Sequence, residues 1–348
     1  MELSLGIQMI RRIDFSDPQW SITRTGWDAF DKQVLDCIQQ WMDDSNTLRV
    51  LTSGTTGAQR ALHIPKEWVI QSARRTMTAL GLKDGYHAHL CLPLDFIAGK
   101  MVVWRTMVAQ GVLSWEEPTS SPHFDLKATA DIASVTPHQM HAMLQKYSGT
   151  VWPMRKLLIG GGPMSPALRV RLPLEPIECY ETYGMAESIS HIALRSLSDT
   201  ESWFKPMQDV ELSVDERGCL QIYIPYFDDL KIQTQDVVEL RPTGEFRWLG
   251  RADWVINSGG VKLFPERMEE RLSPLISCPF VVHGVADDVL GTKAVLFIES
   301  SPWSAEEIEM LQRNIQSVFS SIERPREVRF ISSFQRTSSG KIKRNLIL

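Results

Sequence analysis

The stretch Thr52-Ser53-Gly54-Thr55-Thr56-Gly57 points more directly to the fold of this chain than any other segment. It follows the mainly apolar run 48–51, which predicts the end of a β-strand. Two glycines permit a tight turn and a close approach to an anion. Hydroxyl groups beside successive backbone N–H groups form an anion-binding concavity. A loop of this kind suits a polyphosphate, and by itself it also suits an ordinary polar surface turn.

Apolar runs and helical patterns alternate in the segments after this loop. Segments 132–135 and 156–159 predict buried strands, and segment 66–80 predicts a helix that begins after a proline. This alternation indicates an α/β fold with a mainly parallel sheet. Between residues 209 and 249, short alternating segments separated by turn-forming residues predict a β-rich subdomain. We expect a large α/β N-terminal domain over residues 1–250 and a small α+β C-terminal domain over residues 251–348.

The composition of the 348 residues is that of a globular protein, with 43% hydrophobic and 23% charged residues. A net charge of −5 argues against nucleic acid or an anionic membrane as a partner. The five cysteines include no C-x-x-C pair. No apolar run approaches the length of about 18 residues that predicts a membrane-spanning helix. We therefore expect a cytoplasmic protein without membrane insertion.

Three further segments contain residue types suited to nucleotide chemistry. In Tyr183-Gly184-Met185-Ala186-Glu187 the glycine permits a bend and the glutamate can hold a divalent cation. The other two are Gly250-Arg251-Ala252-Asp253, followed by residues 257–262, and Arg336-Thr337-Ser338-Ser339-Gly340-Lys341. In this order and at these distances, the four motifs resemble the acyl-adenylate-forming superfamily. That superfamily includes acyl-CoA synthetases, luciferases and the adenylation domains of peptide synthetases.

The resemblance implies that ATP activates a carboxylic acid as an acyl-adenylate, with Mg²⁺, before the acyl group passes to coenzyme A. Joining two anions requires positive charge at the reacting phosphate. The implied nucleotide-binding residues are Thr52, Ser53, Gly54, Thr55, Thr56 and Gly57 at the phosphates, Gly161, Gly162, Tyr183 and Gly184 around adenine, and Asp236 at the ribose hydroxyls. The implied catalytic residues are Lys341, Arg251 and Glu187, the last as the metal ligand. Lys262 belongs to the face that serves the thioester step, and Asp253 to the hinge of a mobile C-terminal domain.

Three features depart from the superfamily pattern. Gln59 and Arg60 stand where proline and lysine are usual, and Ala186 stands where threonine is usual. A lost neutral hydrogen bond costs about 0.5–1.5 kcal/mol, which slows a step without abolishing it. The segment before the phosphate loop is also short for the superfamily. We therefore expect a fold truncated at its N-terminus, with exposed apolar surface that favours a homodimer.

Residues 92–99, Leu-Pro-Leu-Asp-Phe-Ile-Ala-Gly, resemble a segment of the o-succinylbenzoate–CoA ligases of menaquinone biosynthesis. Phe96 stands where those enzymes have histidine, and Arg105 matches an arginine that follows their segment. The acid-binding candidates are Phe96, Gly99, Lys100, Arg105, Ser188 and His191. The two cations suit a second carboxylate, which o-succinylbenzoate has and fatty acids lack. The alternatives are another aryl or short acid, a stand-alone enzyme that loads a carrier protein, and a non-catalytic binding module.

Overall fold

The computed structural model describes residues 11–20, 28–51, 61–124, 129–147, 150–162, 164–165, 168–169, 171–172, 176–199, 203–336 and 342–344. The first part of the chain forms the strands β1 (Arg11–Asp14), β2 (Thr47–Leu51), β3 (Ala61–Pro65), β4 (His87–Leu90), β5 (Val112–Trp115), β6 (Ala130–Val135), β7 (Met154–Ile159), β8 (Glu178–Gly184), β9 (His191–Ser196) and β10 (Lys205–Pro206). Its helices are α1 (Ala29–Met42), α2 (Lys66–Leu80), α3 (Ile97–Val108) and α4 (Pro137–Lys146).

An eight-stranded sheet in the order β1-β5-β4-β6-β7-β8-β9-β10 organises this part of the molecule. Strands β4 to β8 pair in parallel, whereas β1, β9 and β10 pair antiparallel at the two edges. The predicted α/β class with a mainly parallel sheet is therefore confirmed. Strands β2 and β3 form a separate antiparallel pair, and the segment that joins them contains the predicted phosphate loop, which lies outside the described residues.

The helices bury apolar faces on both sides of the large sheet. Helices α1, α2 and α3 share one core with β4 and β5, and α4 contributes to a second core with β6 and β7. Asp28 is the N-cap of helix α1 and forms a reciprocal capping box with Asp31. Thr136 and Gln139 do the same for α4. The predicted helix over residues 66–80 is confirmed at both ends. Strand β4 ends at Leu90, shortly before Pro93, which cannot donate to a ladder.

A four-stranded antiparallel sheet follows, formed by β11 (Glu211–Val214), β12 (Cys219–Ile224), β13 (Leu230–Leu240) and β14 (Phe246–Arg251). It confirms that residues 209–249 are β-rich. Side chains of β12 and β14 join the core of the large sheet, so the two sheets pack together. In the β13–β14 ladder Asp236 lies opposite Arg251, which brings two predicted site residues side by side.

The last part of the chain forms a 3₁₀ turn (Ala252–Trp254), β15 (Ile256–Ser258), β16 (Val261–Leu263), α5 (Pro265–Leu272), β17 (Phe280–Asp287), β18 (Gly291–Glu299), α6 (Ala305–Val318) and β19 (Glu327–Ile331). Its sheet has the order β16-β15-β18-β17, with β19 parallel to β18, and α5 and α6 pack in a core of its own. This separate core supports a domain boundary near residue 250, which stays a prediction. Among the helices of the described residues, none combines the length and apolarity needed to cross a membrane.

Candidate functional site

The predicted adenine-binding residues lie at one edge of the large sheet. Gly161 and Gly162 follow the end of β7, and Tyr183 and Gly184 end β8, which pairs with β7 in parallel. Because parallel strands end at the same edge, these two segments are neighbours, and ligands of open α/β sheets bind outside the carboxyl ends of the strands. The structure therefore brings together the two predicted adenine-binding segments.

A bulge at the end of β8 sets the direction of the chain after Tyr183. The β8–β9 register shifts between Tyr183 and Gly184. A Cβ atom on Gly184 would lie 2.1 Å from the carbonyl oxygen of Ser190, so only glycine allows the two strands to approach this closely. The Ser188 hydroxyl accepts from Met185 N at 3.0 Å and is 2.8 Å from the Ser190 carbonyl oxygen, to which it can donate. Ser188 therefore shapes the turn, and its predicted role in acid binding stays a prediction.

The carboxylate of Asp236 is held by two donors from different elements. The Tyr183 hydroxyl donates to Oδ2 at 2.6 Å, and the Trp248 indole N–H donates to Oδ1 at 3.2 Å. Burial, together with the Asp236 charge, raises the pKa of Tyr183, so the phenol stays protonated and keeps donating. A carboxylate in this geometry retains lone pairs for a cis-diol. Trp248 was not predicted as a site residue, because the β13–β14 register is needed to place it beside Asp236.

Arg251 lies between two carboxylates at the junction of the two cores. Its guanidinium is 4.0 Å from Asp236 Oδ1 and 2.6 Å from Asp253 Oδ2. Its backbone N–H donates to Glu266 Oε1 at 3.3 Å, and burial raises the pKa of that glutamate. The predicted ribose ligand, the predicted catalytic arginine and the predicted hinge residue are thus in direct contact.

Glu187 is exposed in the turn between β8 and β9. In the part of the chain that the structure describes, no group of three histidine, cysteine or acidic side chains can hold a metal ion. A lone carboxylate still fits Mg²⁺, which keeps several waters and is commonly held by one or two carboxylates together with substrate phosphates. Glu187 can therefore hold Mg²⁺ only in company with a phosphate group.

The predicted acid-binding residues converge on a buried arginine. Arg105 on α3 is 4% exposed, and no carboxylate lies within ion-pair distance of it among the described residues. Its Nε has no hydrogen-bond partner there, and burial lowers its pKa, although a guanidinium remains charged in proteins. The arginine lines a cavity of about 10 Å³ together with Tyr86 and Ser134. This volume fits about one water molecule.

A row of polar groups connects Arg105 to helix α2. Arg105 donates through Nη2 to Ser190 Oγ at 3.4 Å, and Ser190 Oγ is 3.3 Å from His191 Nδ1. His191 Nε2 is 3.0 Å from Thr76 Oγ1. Burial lowers the pKa of His191 to about 3, and the Arg105 charge adds to this effect. Thr76 was not predicted, because it lies 115 residues before His191 in the sequence, and no local pattern marks it.

The remaining acid-site candidates on α3 lie apart from this row. The Lys100 ammonium is 5.5 Å from the centre of the Trp104 ring. Burial raises the pKa of Cys37 on α1 to about 12, and the nearby Lys100 charge opposes this rise. Five residues along a helix correspond to roughly 140° around its axis, so Lys100 faces α1 while Arg105 faces the sheet. Phe96 occupies the N-cap position of α3, and its side chain is 42% exposed. Gly99 packs against the Pro93 backbone.

Some predicted residues fall elsewhere or beyond the described ranges. Lys262 is exposed on β16. Thr52, Ser53, Gly54, Thr55, Thr56, Gly57 and Lys341 lie outside the described residues. The predicted phosphate contacts and the predicted catalytic lysine therefore stay predictions.

Comparison with protein families matches residues 10–221 to the model described as AMP-binding enzyme. Among curated proteins, the 2-succinylbenzoate–CoA ligase of Listeria monocytogenes serovar 1/2a is 25% identical over 338 residues. The match covers 88% of this chain and 71% of that ligase. The 2-succinylbenzoate–CoA ligase of Bacillus cereus strain ATCC 10987 is also 25% identical over 338 residues, covering 85% of this chain and 68% of the ligase.

Two solved structures resemble this chain over most of its length. The acyl-CoA synthetase (AMP-forming)/AMP-acid ligase II-like protein of Dyadobacter fermentans is 31% identical, with a TM-score of 0.65. The match covers 97% of this chain and 98% of that one. The o-succinylbenzoate CoA synthetase of Bacillus subtilis, in complex with the acyl-adenylate intermediate, is 20% identical with a TM-score of 0.74, covering 87% and 69%. At that identity the second match shows the fold alone, and together they confirm the predicted adenylate-forming fold.

Proposed function

The chain belongs to the AMP-binding enzyme family, and on that premise we propose that it is an ATP-dependent acid–CoA ligase that converts o-succinylbenzoate to its CoA thioester in menaquinone biosynthesis. The observation on which this substrate rests is the buried Arg105, which has no carboxylate partner among the described residues. A buried cation without a counter-ion is costly. A substrate with a second carboxylate supplies the missing charge. The curated relatives named above support the same substrate.

The reaction has two steps at one site. In the first, a carboxylate oxygen of the acid attacks the α-phosphorus of ATP, the bond to the β-phosphate oxygen breaks, and pyrophosphate leaves. In the second, the thiol sulfur of CoA attacks the acyl carbon, the thiol proton is lost, and AMP leaves with the bonding electrons. In both steps negative charge develops on phosphate oxygens. Fixed cations and hydrogen-bond donors stabilise this charge.

The nucleotide is held, in this proposal, by the cluster around Asp236. The carboxylate accepts from the two ribose hydroxyls, and the Tyr183 hydroxyl and the Trp248 indole keep it oriented. Arg251 adjoins the same carboxylate and neutralises part of the phosphate charge. Glu187 would hold Mg²⁺, which neutralises phosphate oxygens when it is bound. We propose Lys341 as the cation that joins the carboxylate and the α-phosphate, since lysine is a compact charge on a flexible stem.

An acid panel with ATP, Mg²⁺ and CoA tests the substrate assignment through AMP release. We expect turnover of o-succinylbenzoate and weak turnover of 4-oxo-4-phenylbutanoate, which lacks the carboxylate on the ring. In Arg105→Met this preference should disappear, because truncating one partner of a buried charge pair costs about 2–5 kcal/mol, or roughly 30-fold or more in kcat/KM. Activity with the monocarboxylate should change little.

Lys100→Met is the matched control, because this cation lies on the same helix but faces α1. It should retain the preference for the dicarboxylate. Turnover of aliphatic fatty acids alone would refute the o-succinylbenzoate assignment. An acyl-adenylate that forms without CoA-dependent turnover would instead identify an enzyme that loads a carrier protein.

A further inference from the structure

The polar row between Arg105 and helix α2 fits an arrangement in which all its hydrogen bonds run in one direction. A hydroxyl has one proton to donate. Thr76 Oγ1 lies 3.0 Å from the Ser72 carbonyl oxygen, which can take this proton. With the proton directed there, the Thr76 oxygen only accepts towards His191. The proton between them therefore belongs to His191 Nε2, at 3.0 Å from Thr76 Oγ1.

The position of the histidine proton also affects the hydrogen bond between Ser190 and Arg105. A neutral histidine with its proton on Nε2 has a lone pair on Nδ1, which accepts from the Ser190 hydroxyl at 3.3 Å. The Ser190 oxygen then accepts from Arg105 Nη2 at 3.4 Å. Every donor points the same way, from the guanidinium through Ser190, His191 and Thr76 to the Ser72 carbonyl. Hydrogen bonds in such a chain polarise and strengthen one another.

We infer that Thr76 and His191 are positioning residues for Arg105, and that they help to determine the preference for an acid with a second carboxylate. Thr76 fixes the histidine tautomer, the tautomer makes Ser190 present its oxygen to Arg105, and one end of the guanidinium is thereby held. The Nε has no hydrogen-bond partner among the described residues, and Arg105 lines the cavity. His191 thus acts as a neutral group through Arg105 and does not contribute a charge to the substrate. This inference rests on the proposed function, because it assumes that Arg105 binds the second carboxylate.

Thr76→Val tests the inference with almost no change in volume. The valine methyl cannot accept from His191 Nε2, so that buried N–H loses its partner and the proton is expected to move to Nδ1. The Nδ1–H then competes with Arg105 for the Ser190 oxygen. We expect kcat/KM for o-succinylbenzoate to fall about tenfold, as a loss of roughly 1.4 kcal/mol implies. The value for 4-oxo-4-phenylbutanoate should stay within about twofold.

Two matched variants on the same helix separate this effect from packing. Thr76→Ser keeps the hydroxyl and should retain most of the dicarboxylate preference. Ser72→Ala removes a buried side chain but keeps the carbonyl that accepts from Thr76, and it should behave as the wild type. The histidine tautomer is read directly at pH 7 from long-range ¹H–¹⁵N NMR correlations, with the His191 signals identified by their absence in His191→Gln. We expect the Nε2–H form in the wild type and the Nδ1–H form in Thr76→Val.

The outcomes distinguish this inference from the proposed function. If Arg105→Met abolishes the preference while Thr76→Val keeps both the preference and the tautomer, the inference is wrong and the proposed function stands. An equal loss for both acids in Thr76→Val would show a purely structural role and would also overturn it. If Arg105→Met leaves the preference intact, the proposed substrate itself is wrong.

Discussion

In the acid site, burial determines the charge state of single residues as much as their own chemistry does. Arg105 is 4% exposed without a described carboxylate partner, and the nearby His191 is kept neutral by burial and by the arginine charge. A second cation beside an uncompensated guanidinium would be unfavourable. The site therefore has one fixed positive charge, and its strength towards an anion does not depend on histidine protonation near neutral pH.

The pH dependence of stability follows from the same histidine. Its pKa is about 6.5 in an unfolded chain and about 3 in the folded protein. Between these values the unfolded chain binds more protons, so the contribution of His191 is complete above about pH 6.5 and is lost as the pH falls. From pH 7 to pH 5 we expect a loss of about 2 kcal/mol in the free energy of unfolding from this residue.

Urea unfolding of the wild type and of His191→Gln at the two pH values measures this contribution. Glutamine has no titration there, so the variant should lose about 2 kcal/mol less on acidification than the wild type. All other titrating groups are common to both proteins. Equal losses would mean that His191 has an ordinary pKa in the folded protein.

At the scale of elements, close packing of backbone on backbone positions the helix that carries Arg105. Helix α3 lies against the segment after β4, and a Cβ atom on Gly99 would come within 2.2 Å of the Pro93 carbonyl oxygen. The obstacle is backbone, so it cannot move aside as a side-chain end can. This close approach of two backbone segments cannot be read from the sequence.

Gly99→Ala should therefore displace α3 and destabilise the protein. We expect a fall of about 1–3 kcal/mol in the free energy of unfolding, as is typical of overpacking, and a loss of the preference for the dicarboxylate. Gly162→Ala is the control, because a Cβ atom there meets no atom of the described residues within 4 Å. Denaturant unfolding monitored by circular dichroism compares the two. A Gly99→Ala protein as stable as Gly162→Ala would contradict the packing argument.

Most elements could be predicted from local patterns. The bounds of α2 agree with the predicted segment 66–80, and strands β11, β12 and β13 lie within the region predicted to be β-rich, because prolines and the period of apolar residues act within one element. Helix α4 was not predicted. The start of strand β13 at Leu230 was not predicted, since the first half of this strand pairs with β12 and is partly exposed.

At the scale of the whole molecule, two cores meet at Arg251. Asp236 on β13 and Asp253 on the 3₁₀ turn both contact its guanidinium, and Glu266 of α5 accepts from its backbone. Arg169 forms a further ion pair with Glu270 of α5, at 3.8 Å. A rotation of the C-terminal domain between half-reactions would break and remake these contacts about Asp253. The hinge and the homodimer stay predictions.

Asp253→Pro tests the hinge, since proline fixes φ near −65° and a hinge has to absorb a change in backbone angles. We expect thioester formation from preformed acyl-adenylate and CoA to fall at least tenfold, and carboxylate-dependent pyrophosphate exchange to change much less. Asp253→Ala removes the same carboxylate without locking the backbone, so it should spare the thioester step. Equal loss in both half-reactions of Asp253→Pro would count against the hinge.

Lys341→Ala provides the opposite pattern in the same two assays. Because this lysine is proposed to act at the α-phosphate, exchange should be largely lost while the thioester step survives. Exchange near the wild-type rate would remove Lys341 from the mechanism.

The sequence by itself determined the fold class, the positions of most elements and the motifs of the family. These depend on short-range patterns and on residue types at set spacings, which the chain displays before it folds. Only the tertiary structure decided which side chains meet. Thr76 and His191 are 115 residues apart, and Tyr183 and Asp236 are 53 apart. Contacts over such distances depend on strand register and helix packing, because the free energy that selects them belongs to the whole core and not to any one segment.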